Sequence, residues 1–411
     1  MTKNPERNLI VGLDIGTSKV AVVIGEVLPD GEISIIGLGN HPSRGMDKGG
    51  VNDLDSIVKS VQRALDQAEL MADCQVSSVY LSISGKHIDC QNENGMVSIN
   101  DEEVTQEDVD NVIHTARSVK IPTERRILHV LPQEYAIDIQ EGIRSPIGMS
   151  GMRMEAKVHI VTCANDMAKN ITKSVERCGL KVDDLVFSGI ASADAVLTND
   201  EKDLGVCLVD IGGGTTDIAV YTNGALRHCA VVPVAGNQVS SDIAKIFRTP
   251  LAHAEHIKVQ HACARSSAVS REDSIDVPSV GGRPSRTMSR HTLAEVVEPR
   301  YQELFELILK QLRDAGLDDQ IAAGIVLTGG TASIEGAVDV AEATFGMPVR
   351  VALPLPVKGL FERVEQPVYS TGVGLLHYGA RRVLERQFER PQRQGVTSLW
   401  NRVQSWFKGE F

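Results

Sequence analysis

Leu208-Val209-Asp210-Ile211-Gly212-Gly213-Gly214-Thr215-Thr216-Asp217-Ile218 runs from an apolar strand through an aspartate into a turn of glycine and threonine. Near the start of the chain, Val11-Gly12-Leu13-Asp14-Ile15-Gly16-Thr17-Ser18-Lys19-Val20 repeats the plan. Small residues let backbone N–H groups point at an anion without side-chain clash, and hydroxyls add donors. Gly16, Thr17 and Ser18, with Gly212, Gly213, Gly214, Thr215 and Thr216, are therefore candidate phosphate contacts, and Lys19 adds a positive charge. Asp14 and Asp210, each ending an apolar strand, are placed to hold a magnesium ion through its waters. One copy alone reads as a glycine hairpin with a capping aspartate. Two copies predict two loops closing on one nucleotide from opposite sides, in a two-domain α/β fold with a nucleotide cleft. A third turn, Thr328-Gly329-Gly330-Thr331, follows the strand Ile325-Val326-Leu327, and Gly329 and Gly330 leave room for a flat base.

Working outward, 9–13 and 20–27 read as strands joined by the first turn. Helical spacing of apolar residues follows over 55–72, and Val79–Ile83 is a further strand. Residues 84–162 read as an insert. Its strands are at 96–99, 127–131, 135–139 and 157–163, and its helix over 105–118 opens on the capping box Thr105-Gln106-Glu107-Asp108. With no catalytic cluster inside it, the insert reads as an interaction module. The second glycine turn sits in a hairpin running to Ala225. Beyond it, 238–264 reads as helical, 266–290 as loop, 293–312 as a long helix and 369–389 as a helix that turns basic. The two halves share an order of strand, glycine turn, strand and helix, a weak internal repeat.

Bulk properties narrow the classes. The 411 residues suffice for more than one core. A net charge of −12 argues against nonspecific nucleic-acid binding. No run of about 18 apolar residues exists to span a bilayer, and the opening Met1–Arg7 carries no apolar core, so no signal peptide is expected. The 7 cysteines are odd in number and lack a C-x-x-C pair, which fits reduced cytoplasmic thiols rather than disulfides or zinc.

The order D-I-G-T, D-I-G-G-G-T-T-D and L-T-G-G-T resembles the superfamily of actin, DnaK-type chaperones and sugar kinases. Within it the chain resembles the FtsA family of bacterial actin-like cell-division proteins. The further stretches that carry this are Val234–Ala244, Ala254–Lys258, Gly281-Gly282-Arg283-Pro284, Glu298-Pro299-Arg300-Tyr301 and Tyr369–Leu376. The resemblance implies an actin-like, ribonuclease H-like fold binding ATP with Mg2+. It implies subdomain 1A over 1–83, 163–194 and 369–386, and a relocated subdomain 1C over 84–162. It implies 2A over 195–227 and 303–368, and 2B over 228–302. It places Gly236 and Asn237 near the phosphates, Glu255 and Lys258 on ribose and base, and Thr331 in the third turn. Without it, Glu255 and Lys258 would read as a surface ion pair, three apart on a helix. Many hydrolysing relatives carry a water-positioning glutamate where this chain has Ser188 or Gly189. A serine is no comparable base at neutral pH, so weak or no hydrolysis is expected.

The segment 387–397 is polar and reads as a linker. In the final 398–411, Leu399, Trp400, Val403, Trp406, Phe407 and Phe411 fall within an arc of roughly 140° on a helix, with Arg402 and Lys408 outside it. Such a helix is about 20 Å long, too short to span, and suits a membrane interface; the alternative is a helix docked on the body. Arg283, Arg286, Arg290 and Arg300 form a basic cluster, and the resemblance implies that this subdomain receives the C-terminal peptide of FtsZ, with Arg286 and Arg300 as contacts. The resemblance further implies self-assembly into an actin-like filament, recruitment of later divisome proteins through 84–162, and peripheral attachment to the cytoplasmic face of the inner membrane at the division site. The competing readings are a sugar-kinase-like phosphotransferase, for which no sugar motif is found, and a DnaK-like ATPase, which needs a substrate domain after about residue 385.

Overall fold

The computed structural model describes residues 8–99, 102–281 and 283–388. The linker read at 387–397 begins inside the helix Ser370–Phe388, and the rest of it, with the membrane-helix reading over 398–411, lies outside the described residues.

Among the described residues, three sheets carry the fold. The first orders the strands Lys181–Phe187, Ser78–Ile83, Leu9–Ile15, Lys19–Val27, Ile33–Pro42 and Lys358–Gly359. The second orders Ala225–Val232, Thr216–Thr222, Val206–Ile211, Ile325–Thr328 and Val349–Val351. The central strands have the same neighbours. Leu9–Ile15 runs antiparallel to Lys19–Val27 and parallel to Ser78–Ile83. Val206–Ile211 runs antiparallel to Thr216–Thr222 and parallel to Ile325–Thr328. The repeat in the sequence is therefore a repeat in topology. Each glycine turn emerges at the carboxyl end of a central strand, where open α/β sheets place ligand loops.

Strand alternation decides which side each residue serves. On Val206–Ile211, Val206 and Leu208 join the core that fills the first domain, while Cys207, Val209 and Ile211 join a second core. That second core lies under the helices Gly236–Phe247 and Arg290–Asp314. Apolar residues on both faces account for the unbroken hydrophobic run before Asp210. The helix Ser188–Val196 packs along Ser370–Phe388 between the two sheets.

The insert builds its own four-stranded sheet, in the order Asp89–Ser98, Arg153–Ala164, Arg125–Ile137 and Gln140–Ile143. The helix Gln106–Arg117 covers it over a separate core around Val112, Met154 and Ile160. The capping box closes: the Asp108 amide donates to Thr105 Oγ1 at 3.3 Å and the Thr105 amide to Asp108 Oδ2 at 2.9 Å. Three expectations change. The strands read at 127–131 and 135–139 are one strand, Arg125–Ile137. The stretch 238–264 is two helices, Gly236–Phe247 and Leu251–His261. Pro250 has no N–H and disfavours helix in its predecessor, and Arg248 takes a left-handed conformation at the break. The stretch 266–290 is not all loop, because Ser274–Val277 pairs with Arg286–Ser289.

Candidate functional site

The two glycine turns have the same local geometry. The Gly16 amide donates to the Lys19 carbonyl at 2.9 Å, and the Gly212 amide to the Thr215 carbonyl at 3.0 Å. Each closes a hairpin whose last pairs are Ile15 with Val20 and Ile211 with Thr216. The turns face one another. A Cβ on Gly213 would lie 2.0 Å from Ser18 Oγ, and one on Gly214 would lie 2.5 Å from Thr17 Oγ1. Absence of side chains there is what allows the loops of two domains to meet. They do so in a cleft of about 630 Å³.

Most of the sequence-predicted residues line this cleft: Gly16, Thr17, Ser18, Lys19, Gly212, Gly213, Gly214, Thr215, Glu255, Lys258, Gly329, Gly330 and Thr331, with Asp14 and Asp210. Three sit behind it. Thr216 is fully buried and donates to the Val234 carbonyl at 2.8 Å. The Gly236 amide donates to the Gly212 carbonyl at 3.1 Å, and the Asn237 amide to the Gly213 carbonyl at 2.7 Å. Their N–H groups are thus spent on holding the second turn rather than offered to an anion. Thr331 serves both ends, lining the cleft and donating to the Gly212 carbonyl at 2.8 Å.

Three carboxylates converge at the cleft floor. Asp14 accepts from Lys19 Nζ at 2.9 Å and from Ser82 Oγ at 2.8 Å, so the lysine read as a phosphate contact is paired here with the aspartate. Asp210 accepts from Ser192 Oγ at 2.5 Å and from Thr371 Oγ1 at 3.3 Å. Burial, reinforced by the charge of Asp14, pushes the Asp210 carboxyl up to about 6. Asp217, to which no role was given from the sequence, accepts a hydrogen bond from Ser84. Burial and then Asp210 and Asp14 hold it well above the ordinary carboxylate range. Gly329, at φ +85°, completes the floor, since a Cβ there would lie 2.3 Å from Asp210 Oδ1. Excess buried negative charge beside a cradle of small residues is a donor set for a divalent cation and a phosphate chain.

The far wall is the helix Leu251–His261. Lys258 is buried and bonds Glu255 Oε2 at 2.7 Å and the Gly236 carbonyl at 3.1 Å, while Ser240 also donates to Glu255. This is a fixed network rather than a solvated surface pair. Arg290, read as part of the basic cluster, also lines the cleft, bonding Glu335 and the His261 carbonyl at 2.8 Å. Ser188 opens the buried helix Ser188–Val196 and borders the cleft. Arg300 and Arg286 are locally engaged. Arg300 bonds Asp242 at 2.7 Å and pairs with Glu303. Arg286 bonds the Phe247 carbonyl. Arg290 and Arg300 are thus paired with carboxylates, while Arg286 meets only a backbone carbonyl.

Comparison with known proteins places the chain. The family profile described as "Cell division protein FtsA" matches residues 207–374, and that of the "SHS2 domain inserted in FTSA" matches 85–162. The chain is 61% identical to the cell division protein FtsA of Escherichia coli (strain K12), over 100% of both chains. In structure it is similar to the "PilM-PilN type IV pilus biogenesis complex" (TM-score 0.65, 16% identity, 92% of this chain and 99% of that one). It is also similar to MreB5 of Spiroplasma citri bound to ADP (TM-score 0.57, 16% identity, 94% of this chain and 100% of that one). These structural likenesses bear out the actin-like fold that the resemblance implies.

Proposed function

Because the chain belongs to the FtsA family of cell-division proteins, we propose that it binds ATP with Mg2+ in the cleft, joins copies of itself into a filament, and ties FtsZ filaments to the inner membrane. The observation that carries the nucleotide half is the meeting of two equivalent hairpin turns, each with an aspartate at its base, across one cleft. Gly16–Ser18 and Gly212–Thr215 would take the phosphates. Asp14 and Asp210 would face the ion, Glu255 and Lys258 the ribose and base, and Gly329–Thr331 the base. Thr216, Gly236 and Asn237 would act through the second turn that they hold. ADP held by the similar MreB5 agrees with this use of the fold.

One feature favours slow turnover: Ser188 supplies no carboxylate at the cleft. ATP then acts chiefly as a ligand that holds two domains closed. Among the described residues no helix is long and apolar enough to cross a membrane. The amphipathic pattern of 398–411 supports assigning attachment at the cytoplasmic face of the inner membrane to that segment, and contacts with later divisome proteins are assigned to the insert. Electron microscopy of the full chain on an anionic lipid monolayer tests this reading. Filaments are expected with Mg–ATP and not with EDTA; their absence under both conditions would remove the polymer.

FtsZ docking is assigned to the subdomain carrying Arg286 and Arg300. Arg300→Ala removes a cation and leaves Asp242 and Glu303 facing a partly acidic peptide. About a tenfold loss of affinity for an FtsZ C-terminal peptide is expected by fluorescence anisotropy. Unchanged affinity, in a variant with wild-type melting behaviour, rules the contact out.

A further inference from the structure

Three residues that share no sequence motif meet where the insert abuts the second domain. Cys90 lies on Asp89–Ser98 and His159 on Arg153–Ala164, adjacent strands of the insert, and Cys229 lies on Ala225–Val232, an edge strand of the second sheet. The register pairs His159 with Asn92 and Val161 with Cys90. Since Cys90 and Asn92 are two apart on one strand, Cys90 and His159 share a sheet face. A ligand atom from each of Cys90, His159 and Cys229 lies within 4.8 Å of the other two. His159 Nε2 is 3.4 Å from Cys229 Sγ, and both residues are buried.

The imidazole is oriented for ligation. Its Nδ1 lies 2.7 Å from Asn92 Oδ1. The orientation of that amide is fixed by two further bonds: Gln133 Nε2 donates to Asn92 Oδ1 at 3.1 Å, and Asn92 Nδ2 donates to the Arg227 carbonyl at 3.2 Å. An amide oxygen only accepts, so Nδ1 carries the proton and the Nε2 lone pair points at the Cys229 sulfur. An imidazole held this way by a carbonyl oxygen is the usual outer partner of a metal-bound histidine. The spacing agrees as well. With zinc–sulfur and zinc–nitrogen bonds of about 2.3 and 2.0 Å, a tetrahedral sulfur–nitrogen edge is about 3.5 Å. His228 Nδ1 lies 3.8 Å from Cys90 Sγ, but its ring lies outside the three-residue cluster.

We propose that Cys90, His159 and Cys229 form a zinc site that fastens the insert to the second domain. Binding replaces the two thiol protons: Zn2+ enters, two Zn–S bonds form and two H+ leave to solvent, so the filled site carries no net charge. The Cys90 thiol, which donates to the Cys229 carbonyl at 2.9 Å, gives up that bond. Two sulfurs and imidazole select zinc over magnesium, so this site and the aspartate pair of the cleft do not compete for one ion.

The test uses the reduced full chain without nucleotide. Titration with Co2+ is expected to give thiolate-to-cobalt charge-transfer absorption and tetrahedral d–d bands saturating at one ion per chain, with Zn2+ displacing it. Cys229→Ser and Cys90→Ser should each abolish the bands, while Cys207→Ser, in the second core, should keep them. Asn92→Ala removes the orienting bond, not a ligand, and should weaken zinc by about tenfold to a hundredfold. Cobalt absorption equal in the wild type and in Cys90→Ser would overturn the site. So would a Cys90–Cys229 disulfide on mild oxidation in a chain that binds neither ion. If Cys229→Ser fails to fold, Cys90→Ser, whose side chain is only half-buried, decides the matter.

Discussion

Asp210→Asn is expected to raise the melting temperature of the nucleotide-free protein while removing the Mg2+-dependent part of its affinity for ATP. The carboxyl is fully buried, and its proton is retained up to about pH 6 in the folded state against 3.8 ordinarily. A folded-state value above the unfolded one means that the folded chain holds its proton more tightly. The associated stability is present below about pH 4 and is lost as pH rises through 6. The loss is about 3 kcal/mol in all, at about 1.4 kcal/mol per pH unit. Asparagine carries no charge to desolvate, and its amide oxygen can still accept from Ser192 and Thr371. The stability gap between variant and wild type should therefore widen from pH 4 to 6 and stay level above. A cation relieves the same repulsion in the wild type, so losing the charge should cost at least about tenfold in Mg–ATP affinity. Melting curves at stepped pH and calorimetry with and without Mg2+ check both halves. A variant less stable than wild type at pH 8 would contradict the account of a strained carboxylate.

Deletion of 398–411 should abolish co-sedimentation with anionic vesicles and leave nucleotide binding intact. The segment holds both tryptophans, and a helix over it would carry Leu399, Trp400, Val403, Trp406 and Phe407 on one face, with Arg402 and Lys408 outside it. One such helix binds an interface only moderately. A filament presents many at once, and the gain over a single copy is of order a hundredfold or more. The intact chain should therefore bind vesicles more tightly with Mg–ATP than with EDTA, a difference that vanishes in the deletion. Retained binding after deletion would assign membrane contact to another surface.

What was legible in the sequence is what is local. An aspartate, a tight glycine turn and the next strand lie within ten residues, so both hairpins and the third turn could be read directly. Glu255 and Lys258, three apart on a helix, read locally only as a surface ion pair; the family resemblance alone puts them at the nucleotide. Contacts made by distant residues were not legible. Ser192 and Thr371 reach Asp210 from 18 and 161 residues away, and Ser84 reaches Asp217 from 133 away. No spacing announces such pairs. Asp217 had a signal nonetheless: a carboxylate inside an otherwise apolar strand is costly unless it has a partner. Pro250 likewise marked the break between two helices that were read as one. Cys90 and Cys229 are 139 residues apart and join only because a sheet edge of the second domain meets the insert. A spacing rule such as C-x-x-C is blind to that.

Titration calorimetry of ATP into the full chain tests the central claim most directly, that two repeated hairpins form one nucleotide clamp. One nucleotide should bind per chain with Mg2+, markedly more weakly with EDTA. Gly329→Val, which crowds Asp210 and requires φ +85°, should abolish binding. Saturable binding that is indifferent to EDTA and survives in the folded variant would contradict it, as would no binding to the wild type.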